Sequence, residues 1–415
     1  MRNTIILLCL VVFLGVGFGL ETNAQNLDYQ GFHFRSKSIN NLTIPFRQYH
    51  NLIVLSVRIN QSDTLNFVLD SGAGSTLISD LATAQKLGLP HLRDIFILGN
   101  KKDQQLKAHI SNIDFFALKG IEATKLGVIV LEEDVLQLSE YAGIKIHGLL
   151  GADLFNRFVV RIDYEKKQVT FTKPTKFKPA KKYGEPIAIA LHAQRPYLQA
   201  QTLIENDTIP TGLIIDIGAA HSLSLEVGTH PKIQVPQKSL TTFLGSTLGG
   251  VVYGDIARIN NIQIGQFNFK EVITSFPDTS DMSSFRQEYR QGNLGYGILR
   301  RFHITFDYTH ENIYLKPNRY FKEPFRENKS GMYIAAEAPD FKIFKINYLY
   351  ANSPAQKAGL QEGDTIVAIN NQMVNDMTIS QLYDMLDKKE GSKIKIFAKR
   401  GDNFFYTEML LSDNF

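Results

Sequence analysis

The sequence of 415 residues predicts a mostly-β protein, in which two homologous, β-barrel-like lobes are followed by a small α+β domain. Three observations predict this fold class. Up to about residue 320, short apolar and β-branched runs alternate with polar turns, which is typical of strands. Two parts of that region repeat each other over about 140 positions. The remainder has a different pattern, in which helical spacing at 377–386 precedes an alternating strand at 393–398.

The first 24 residues have the features of a signal peptide. Arg2 provides a basic start, an apolar run covers residues 5–20, and small residues precede a cleavage position before Gln25. The alternative is a transmembrane anchor, but the apolar run is short for a bilayer span. Cys9 is the only cysteine and follows the large residue Leu8, which does not fit a lipid attachment site. We therefore expect an exported protein (periplasmic, cell-surface or secreted), without disulfides and without a membrane span after cleavage.

The composition is that of an ordinary globular protein, with 44% hydrophobic and 21% charged residues. The formal net charge is +4, and no basic run is interleaved with aromatic residues. The lysines between 173 and 182 are better explained as a solvated surface. Nucleic acid is therefore not expected as a partner.

Regular structure is expected to begin at 52–60, where apolar and polar residues partly alternate as in a strand. The polar residues 61–63 predict a turn, and an apolar run follows at 65–69. The two runs therefore predict a β-hairpin that carries Asp70 at its far end. A Ser-Gly turn and small residues come next, so one carboxylate would lie at the end of a buried strand.

A second copy of this stretch carries Asp216, 146 positions after Asp70. Other segments recur in the same order, at offsets of 146 or 144 positions. They are Leu98-Gly99-Asn100 with Leu244-Gly245-Ser246, Gly148-Leu149-Leu150-Gly151 with Gly292-Asn293-Leu294-Gly295, and Arg161-Ile162-Asp163-Tyr164 with Thr305-Phe306-Asp307-Tyr308. The agreement in order, spacing and residue class indicates a duplicated unit. Each copy should form short strands and one short helix, near 154–158 and 298–302.

Both stretches resemble the active-site turn of the aspartic proteases, in the retroviral-type and pepsin-like group. A single Asp-Ser-Gly is a weak signal because Asp and Gly are common turn residues, and two ordinary strand-turn junctions are the alternative. Here the motif occurs twice, each time after apolar residues. The resemblance implies a catalytic pair of aspartates. It also implies that the apolar-apolar-Gly segments, at 149–151 and 293–295, pass behind the two turns. The implied site residues are Asp70 and Asp216, supported in their turns by Ser71, Gly72, Ala73, Gly218 and Ala219.

Paired carboxylates predict a specific chemistry. Two close carboxylates cannot both ionise cheaply, so one proton is shared between them. One carboxylate then acts as general base on a water, while the other donates a proton to a peptide carbonyl. This predicts an aspartic endopeptidase for peptide or protein substrates, without a metal or other cofactor. The histidines show no ligand spacing, and His221 is better explained by packing or surface exposure than by metal binding.

One position departs from the pattern of the family. In the family, Thr or Ser usually follows each catalytic aspartate, and the two hydroxyls cross-link the turns. Ser71 conforms, whereas the side chain of Ile217 can neither donate nor accept. Half of the network is then missing, or Ser71 uses backbone partners alone. We expect an enzyme that is active but slow, and the alternative is a non-catalytic peptide-binding protein on the same fold.

A hydrolase of this type needs a mobile cover over its cleft. The second copy offers a glycine-rich hairpin at 245–254, in which the flap candidates are Gly249, Gly250 and Tyr253. The first copy has the polar residues 100–105 at the equivalent place. The sequence therefore predicts that the hairpin of the second copy is the principal flap.

The last segment resembles a PDZ domain of the exported bacterial type over about 85 residues. Its most specific part begins at Ser353-Pro354-Ala355, where Ser353 can cap a short helix. PDZ domains bind peptide termini by adding a strand to a sheet edge, so a peptide ligand is a possible partner. The carboxylate-binding loop of the family, whose second Gly is missing here, would correspond to Gly331, Met332, Tyr333 and Ile334. Recognition of a terminal carboxylate therefore stays open.

Charged residues at 321–330 interrupt the repeat pattern and indicate a domain boundary. The predicted division is a signal peptide at 1–24, a first lobe at 25–178, a second lobe at 179–320 and a PDZ-like domain at 321–415. A further alternative treats the PDZ-like domain as the functional part and the lobes as its scaffold. Retention of both aspartates favours the enzyme, because a binding protein has no need of two crowded carboxylates.

Overall fold

The computed structural model describes residues 31–98, 105–278, 289–326 and 328–414. The predicted signal peptide and positions 100–104 of the polar segment in the first lobe lie outside these residues. Strands predominate in the described part of the chain, which confirms the mostly-β prediction. No helix among the described residues is both long enough and apolar enough to cross a membrane.

The first lobe is built on a nine-stranded sheet. Its region contains the strands β1 (His33–Phe34), β2 (Asn41–Pro45), β3 (Arg47–Tyr49), β4 (Leu52–Ile59), β5 (Leu65–Leu69), β6 (Leu77–Ile78), β7 (Arg93–Leu98), β8 (Gln105–Leu118), β9 (Ile121–Leu131), β10 (Gly148–Leu150), β11 (Val159–Asp163) and β12 (Gln168–Thr172). The order in the sheet is β1-β9-β6-β10-β5-β4-β8-β7, and β3 pairs with β4. The predicted hairpin is present, because β4 and β5 are antiparallel with Val54 opposite Val68.

The second lobe repeats this arrangement in an eight-stranded sheet. Its region contains the strands β13 (Pro186–Ala188), β14 (Ala190–His192), β15 (Arg195–Ile204), β16 (Asp207–Ile215), β17 (Leu223–Leu225), β18 (Ser239–Thr247), β19 (Gly250–Ile264), β20 (Phe267–Pro277), β21 (Gly292–Leu294), β22 (Phe302–Asp307) and β23 (Asn312–Pro317). The order is β14-β15-β16-β21-β17-β20-β19-β18. Strands β5 and β16 thus occupy equivalent positions beside β10 and β21.

A six-stranded sheet joins the two lobes, in the order β13-β23-β22-β11-β12-β2. The two lobes meet where β11 and β22 pair antiparallel, with Val160 opposite Phe306. One continuous cluster of buried apolar side chains extends through both lobes. The lobes therefore share a sheet and a core, which fixes the position of one predicted catalytic turn relative to the other.

Short helices connect the strands of the lobes. They are α1 (Leu81–Lys86), α2 (Leu138–Ala142), α3 (Ala152–Phe155) and α4 (Tyr296–Leu299), with 3-10 turns at Pro174–Lys176, Lys181–Tyr183 and Tyr308–His310. Helices α3 and α4 begin earlier than predicted, directly after Gly151 and Gly295. They also end earlier, at Phe155 and Leu299, and Phe302 already starts β22.

The contacts of the second lobe continue past the boundary predicted at residue 320. Arg301 is only 1% exposed, and its guanidinium donates to the backbone carbonyls of Tyr320, Phe321 and Glu323. The rings of Phe321 and Phe325 pack against the core that the two lobes share. Residues 321–325 are therefore packed against the second lobe and do not form a free linker.

The C-terminal domain has its own buried core and a six-stranded sheet. Its elements are β24 (Met332–Glu337), β25 (Ile343–Leu349), α5 (Pro354–Lys357), β26 (Thr365–Ile369), β27 (Gln372–Met373), a 3-10 turn (Val374–Asp376), α6 (Ile379–Leu386), β28 (Lys393–Arg400) and β29 (Asn403–Leu410). Ser353 caps α5, as predicted, by accepting the N–H of Gln356 at 3.2 Å. Thr378 and Gln381 form a capping box on α6. Strand β24 is an edge of the sheet.

Candidate active site

The two candidate catalytic turns lie at the ends of corresponding strands, because β5 and β16 each end directly before an aspartate. Strand β10 runs parallel to β5, and β21 runs parallel to β16. The N–H of Asp70 donates to the carbonyl of Leu150, and that of Asp216 donates to Leu294, both at 2.9 Å. The apolar-apolar-Gly segments therefore lie behind the turns, as the resemblance implies.

The glycines of these segments are required by close backbone approach. A Cβ on Gly148 would lie 2.1 Å from the carbonyl oxygen of Leu77, and a Cβ on Gly292 would lie 1.9 Å from that of Ser224. Both distances are far below van der Waals contact. A side chain at either position would force apart the strands that hold the catalytic turns.

The two aspartates face each other across the pseudo-symmetric turns. A Cβ on Gly72 would lie 2.5 Å from Oδ2 of Asp216, and a Cβ on Gly218 would lie 2.7 Å from Cγ of Asp70. Each carboxyl group therefore occupies the space that the glycine of the opposite turn leaves open. The structure brings together the predicted catalytic residues and the glycines that support them.

Burial is the main cause that raises the pKa of Asp70 well above its usual value. The charge of Asp216 and a hydrogen bond between the two carboxyl groups raise it further. The N–H of Gly72, which donates to Oδ1 of Asp70 at 2.7 Å, and the charge of Arg195 act in the opposite direction. The net direction is upward, which favours a protonated Asp70.

Asp216 has a richer set of hydrogen-bond donors than Asp70. Its Oδ1 accepts the N–H of Gly218 at 2.9 Å and the N–H of Ala219 at 3.1 Å. Its Oδ2 accepts Nδ2 of Asn293 at 3.0 Å. These donors hold the carboxyl group of Asp216 in place, and the raised pKa of Asp70 favours a proton on that side of the pair.

The alanines of the turns hold the short helices that follow the glycine segments. The carbonyl of Ala73 accepts the N–H of Ala152 at 2.9 Å, and the carbonyl of Ala219 accepts the N–H of Tyr296 at the same distance. Ala73 and Ala219 therefore make matching contacts in the two lobes. The turns are anchored from behind by β10 and β21, and from the side by α3 and α4.

Asn293 is a candidate site residue that the sequence did not reveal. Its side chain contacts Asp216, although it occupies a position that is apolar, as Leu149, in the first copy of the repeat. The sequence therefore contained one indication of its role, which is a polar residue at a repeat position that is apolar in the first copy. Asn51, Arg195 and Tyr308 were also missed, because their distance from the motifs along the sequence hides their proximity in space.

Each lobe braces the catalytic turn of the other. Nδ2 of Asn51, in the first lobe, donates to the carbonyl of Gly218 at 2.9 Å. In the second lobe, Ala193 and Arg195 lie against Gly74 of the first turn. A Cβ on Gly74 would be 3.2 Å from the carbonyl oxygen of Ala193 and 3.9 Å from Nε of Arg195. These residues lie directly before or at the start of the first long strand of each lobe.

Buried aromatic and imidazole groups surround the pair. Burial raises the pKa of Tyr308, and the charges of Asp70 and Asp216 add to the effect. Burial lowers the pKa of His221, against the charge of Asp216. At neutral pH both groups are therefore uncharged, and the tyrosine remains a potential proton donor in a hydrogen bond.

The predicted flap is a hairpin formed by β18 and β19, whose turn contains Gly249. Gly250 has φ of +97°, and the N–H of Gly249 donates to Oγ1 of Thr247 at 3.1 Å. Leu248, at the tip, packs against a cluster of the first lobe that includes Leu77, Leu149 and, at its margin, Ala73 of the first catalytic turn. The hairpin therefore reaches across the cleft from the second lobe to the first. In the first lobe, β7 and β8 form the equivalent hairpin.

The C-terminal domain contacts both the flap hairpin and the first lobe. The ring of Tyr333 lies 4.8 Å from that of Phe243, between ring centroids, and the ring of Tyr348 lies 6.2 Å from that of Tyr253. On the other side of the cleft, Oγ of Ser380 accepts the N–H of His50 at 3.1 Å. The domain thus contacts both lobes, one on each side of the cleft.

The residues predicted as a peptide-binding loop lie at the start of the edge strand β24. Met332 and Ile334 are fully buried, and Gly331 has φ of +72°. The N–H of Ile334 donates to the hydroxyl of Tyr383 at 2.7 Å, and this hydroxyl donates to the carbonyl of Ile334 at 3.1 Å. At Ile334, the backbone groups that an added strand would use are therefore taken by a side chain of α6.

One cluster of possible metal ligands occurs among the described residues, formed by Asp163, Glu165 and His303. Nε2 of His303 lies 3.0 Å from Oε2 of Glu165, and Nδ1 lies 3.4 Å from Oδ1 of Asp163. Pairing of the imidazole with the two carboxylates accounts for this cluster. It does not include either residue of the aspartate pair.

Fold and site together define a two-lobed protein with paired aspartates and a separate C-terminal α+β domain. Family comparisons agree, since residues 55–154 match the model of an aspartyl protease and residues 345–400 match that of a PDZ domain. The chain therefore contains an aspartyl protease domain and a C-terminal PDZ domain.

Individual proteins resemble the chain over different parts. Serine protease HTRA1 from Xenopus tropicalis is 36% identical over 78 residues, which are 19% of this chain and 14% of that protein. A retropepsin-like aspartic protease from Rickettsia conorii aligns with 32% of this chain and 92% of its own, at 21% identity and a TM-score of 0.24. An aspartic proteinase from Irpex lacteus aligns with 69% of this chain and 100% of its own, at 12% identity and a TM-score of 0.43.

Proposed function

We propose that this protein is an aspartic endopeptidase, in which Asp70 and Asp216 activate a water molecule for attack on a peptide bond. The observation that carries the proposal is the asymmetric carboxylate pair. Asp216 accepts three N–H donors, whereas burial and the neighbouring charge favour a proton on Asp70. A single proton on the pair is the state that this reaction requires.

In the proposed reaction, the oxygen of the water molecule bonds to the carbonyl carbon of the peptide. The charged carboxylate of Asp216 takes a proton from this water at the same time. Asp70 gives its proton to the carbonyl oxygen, which becomes a hydroxyl of a tetrahedral intermediate. The carbon–nitrogen bond then breaks while Asp216 returns its proton to the leaving nitrogen. Asp70 regains a proton from the hydroxyl as the new carboxylic acid forms, and the pair returns to its starting state.

The flap hairpin has the position needed to cover an extended peptide. Its tip at Leu248 packs against the cluster of the first lobe whose margin also includes Ala73 of the first catalytic turn. A closed hairpin excludes water other than the reacting molecule and holds the substrate in place. We assign Gly249, Gly250 and Tyr253 to this flap, and its opening would precede binding of a polypeptide.

We also propose that the protein is exported, on the strength of residues 1–24 of the sequence. The N-terminal sequence of the protein recovered from its host tests this, with Gln25 expected as the first residue. Recovery of an intact N-terminus in the soluble cell interior would contradict export.

Cleavage of a peptide library between pH 3 and pH 8 tests the activity. The wild type should cleave, whereas Asp70→Asn and Asp216→Asn should each lose turnover by several orders of magnitude and stay folded. Asp114→Asn, an exposed carboxylate on β8, serves as the matched control and should keep full activity. If the wild type is inert on all peptides yet binds some of them, the non-catalytic peptide-binding alternative replaces the proposal.

A further inference from the structure

Asn51 is fixed between the second catalytic turn and helix α2. It is 3% exposed, and Nδ2 donates to the carbonyl of Gly218 at 2.9 Å. Its Oδ1 accepts the hydroxyl of Tyr141 at 2.6 Å. Rotation of the amide would break both bonds in a buried place, where unpaired polar groups are costly. The position of Asn51 therefore depends on Tyr141.

Tyr141 and the residue before Asn51 also contact the C-terminal domain. The ring of His50 lies between two tyrosine rings, with centroid distances of 4.8 Å to Tyr141 and 4.9 Å to Tyr383 of α6. The N–H of His50 donates to Oγ of Ser380, also on α6, at 3.1 Å. Burial lowers the pKa of His50 to about 4, so at neutral pH the imidazole packs as an uncharged ring.

Tyr383 connects this contact with the edge of the PDZ domain, since its hydroxyl bonds to both the N–H and the carbonyl of Ile334. A further contact lies beside it. A Cβ on Gly143, at the end of α2, would lie 3.1 Å from Cγ2 of Ile379. An uninterrupted series of contacts therefore runs from the edge strand β24 through Tyr383, His50, Tyr141 and Asn51 to Gly218.

We propose that Asn51 is a positioning residue for the second catalytic turn, and that docking of the C-terminal domain on His50 holds Asn51 in its working position. This inference rests on the proposed function, because the position of the turn matters for turnover through Asp216. The PDZ domain is then a part of the catalytic unit as well as a peptide-binding module. Peptide occupancy of β24 and docking on His50 depend on the same tyrosine.

The alternative is that these contacts only pack the domain against the lobes, without an effect on the site. A series of contacts does not by itself demonstrate coupling, which has to be measured as non-additivity between substitutions. Two substitutions suit this purpose, since each removes a single hydroxyl and leaves most of the packing intact. Tyr141→Phe removes the donor to Asn51, and Ser380→Ala removes the acceptor for the N–H of His50.

The test compares kcat and KM of the full-length wild type, Tyr141→Phe, Ser380→Ala and the double variant. We expect each single variant to lower kcat about fivefold, the effect of one hydrogen bond, with KM within twofold. The double variant should be no slower than the slower single variant. Tyr314→Phe on β23 and Ser392→Ala before β28 are matched controls and should keep wild-type kcat. Multiplicative effects in the double variant, or an unchanged kcat in Tyr141→Phe, would overturn the proposal.

Hydrogen exchange provides a readout that does not depend on cleavage. The backbone amides at 217–219 should exchange faster in both single variants than in the wild type, with the two control variants unchanged. If the wild type cleaves no peptide, the proposed function fails, yet the exchange data still decide the coupling. Equal exchange at 217–219 in wild type and both variants would refute the role of Asn51 by itself.

Discussion

The hydroxyl of Ser71 accepts the N–H of Ile217 at 3.1 Å and donates to the carbonyl of Ile215 at 2.7 Å. One side chain of the first turn therefore ties down the backbone on both sides of Asp216. The reciprocal side-chain bonds from position 217 are absent, since Ile217 is fully buried and apolar. The sequence left two outcomes open, a half-missing network or a Ser71 with backbone partners alone. The structure shows the second, because both partners of Ser71 are backbone groups.

This one-sided link predicts the effect of Ile217→Thr. By the pseudo-symmetry of the two turns, a hydroxyl at position 217 should form hydrogen bonds with the backbone of the first turn, as Ser71 does with that of the second. The two aspartates should then be held more firmly. We expect turnover to rise a few-fold, while the free energy of unfolding falls by about 1 kcal/mol because apolar packing is lost. Urea unfolding and kcat measured on the same preparation check both effects.

Ile217→Val is the matched variant, since it loses packing volume without gaining a hydroxyl. Its free energy of unfolding should fall by about 0.5–1.5 kcal/mol, and its turnover should not rise. Equal turnover of the Thr and Val variants would show that the missing cross-link does not limit the rate.

The turns and the strands behind them could be predicted from the sequence because their determinants are local or repeated. Apolar runs predict β5 and β16, and the repeat pairs Gly148 with Gly292. Contacts such as Asn51 with Gly218 could not be predicted, since they join positions 167 residues apart without any periodic pattern. Packing of the C-terminal domain across the cleft depends on side-chain complementarity between separate domains, which one sequence does not encode in a readable motif.

The raised pKa of Asp70 predicts a pH-dependent stability difference for Asp70→Asn. A carboxyl group whose pKa is higher in the folded state stabilises the fold fully below its unfolded pKa, about 3.9. That contribution is lost as the pH rises through the higher pKa of the folded state. Wild type should therefore lose stability over this range relative to Asp70→Asn, which cannot ionise.

Thermal unfolding of both proteins between pH 3 and pH 8 measures this difference. The two Tm values should be close at pH 3, and the variant should be the more stable at neutral pH. Asp114→Asn should show no such trend, because this carboxylate is exposed. A Tm difference for Asp70→Asn that stays constant with pH would be inconsistent with a buried, protonated Asp70.

Contact between the flap tip and the first lobe predicts the effect of Leu248→Ser. The substitution removes the apolar group that packs against the first-lobe cluster containing Leu77 and Leu149, so the closed hairpin becomes less favourable. KM should rise and kcat should fall, with little change in Tm. Val251→Ser, at a 43% exposed position of the same hairpin, is the control for a general loss of hydrophobicity. Equal kinetics of the two variants would argue against closure through Leu248.

The last prediction concerns Asn293, whose amide donates to Oδ2 of Asp216. Asn293→Leu introduces the residue that the first lobe has at this repeat position, with the same number of side-chain heavy atoms and the same branching. Asp216 then keeps the N–H groups of Gly218 and Ala219, so its charged form is stabilised by two donors and no longer by three. The singly ionised pair becomes less favourable relative to the fully protonated pair.

The acid limb of the pH profile of kcat/KM should therefore move to higher pH in Asn293→Leu, by up to about one unit. The other titratable or charged groups near the pair are His221, Tyr164 and Tyr308, with Arg195 near Asp70, and the substitution leaves all of them in place. Asn268→Leu, on the exposed side of β20, should keep the wild-type profile. A uniform loss of activity without a shift of the acid limb would mean that Asn293 only packs the turn, because a change confined to packing lowers the rate equally at every pH.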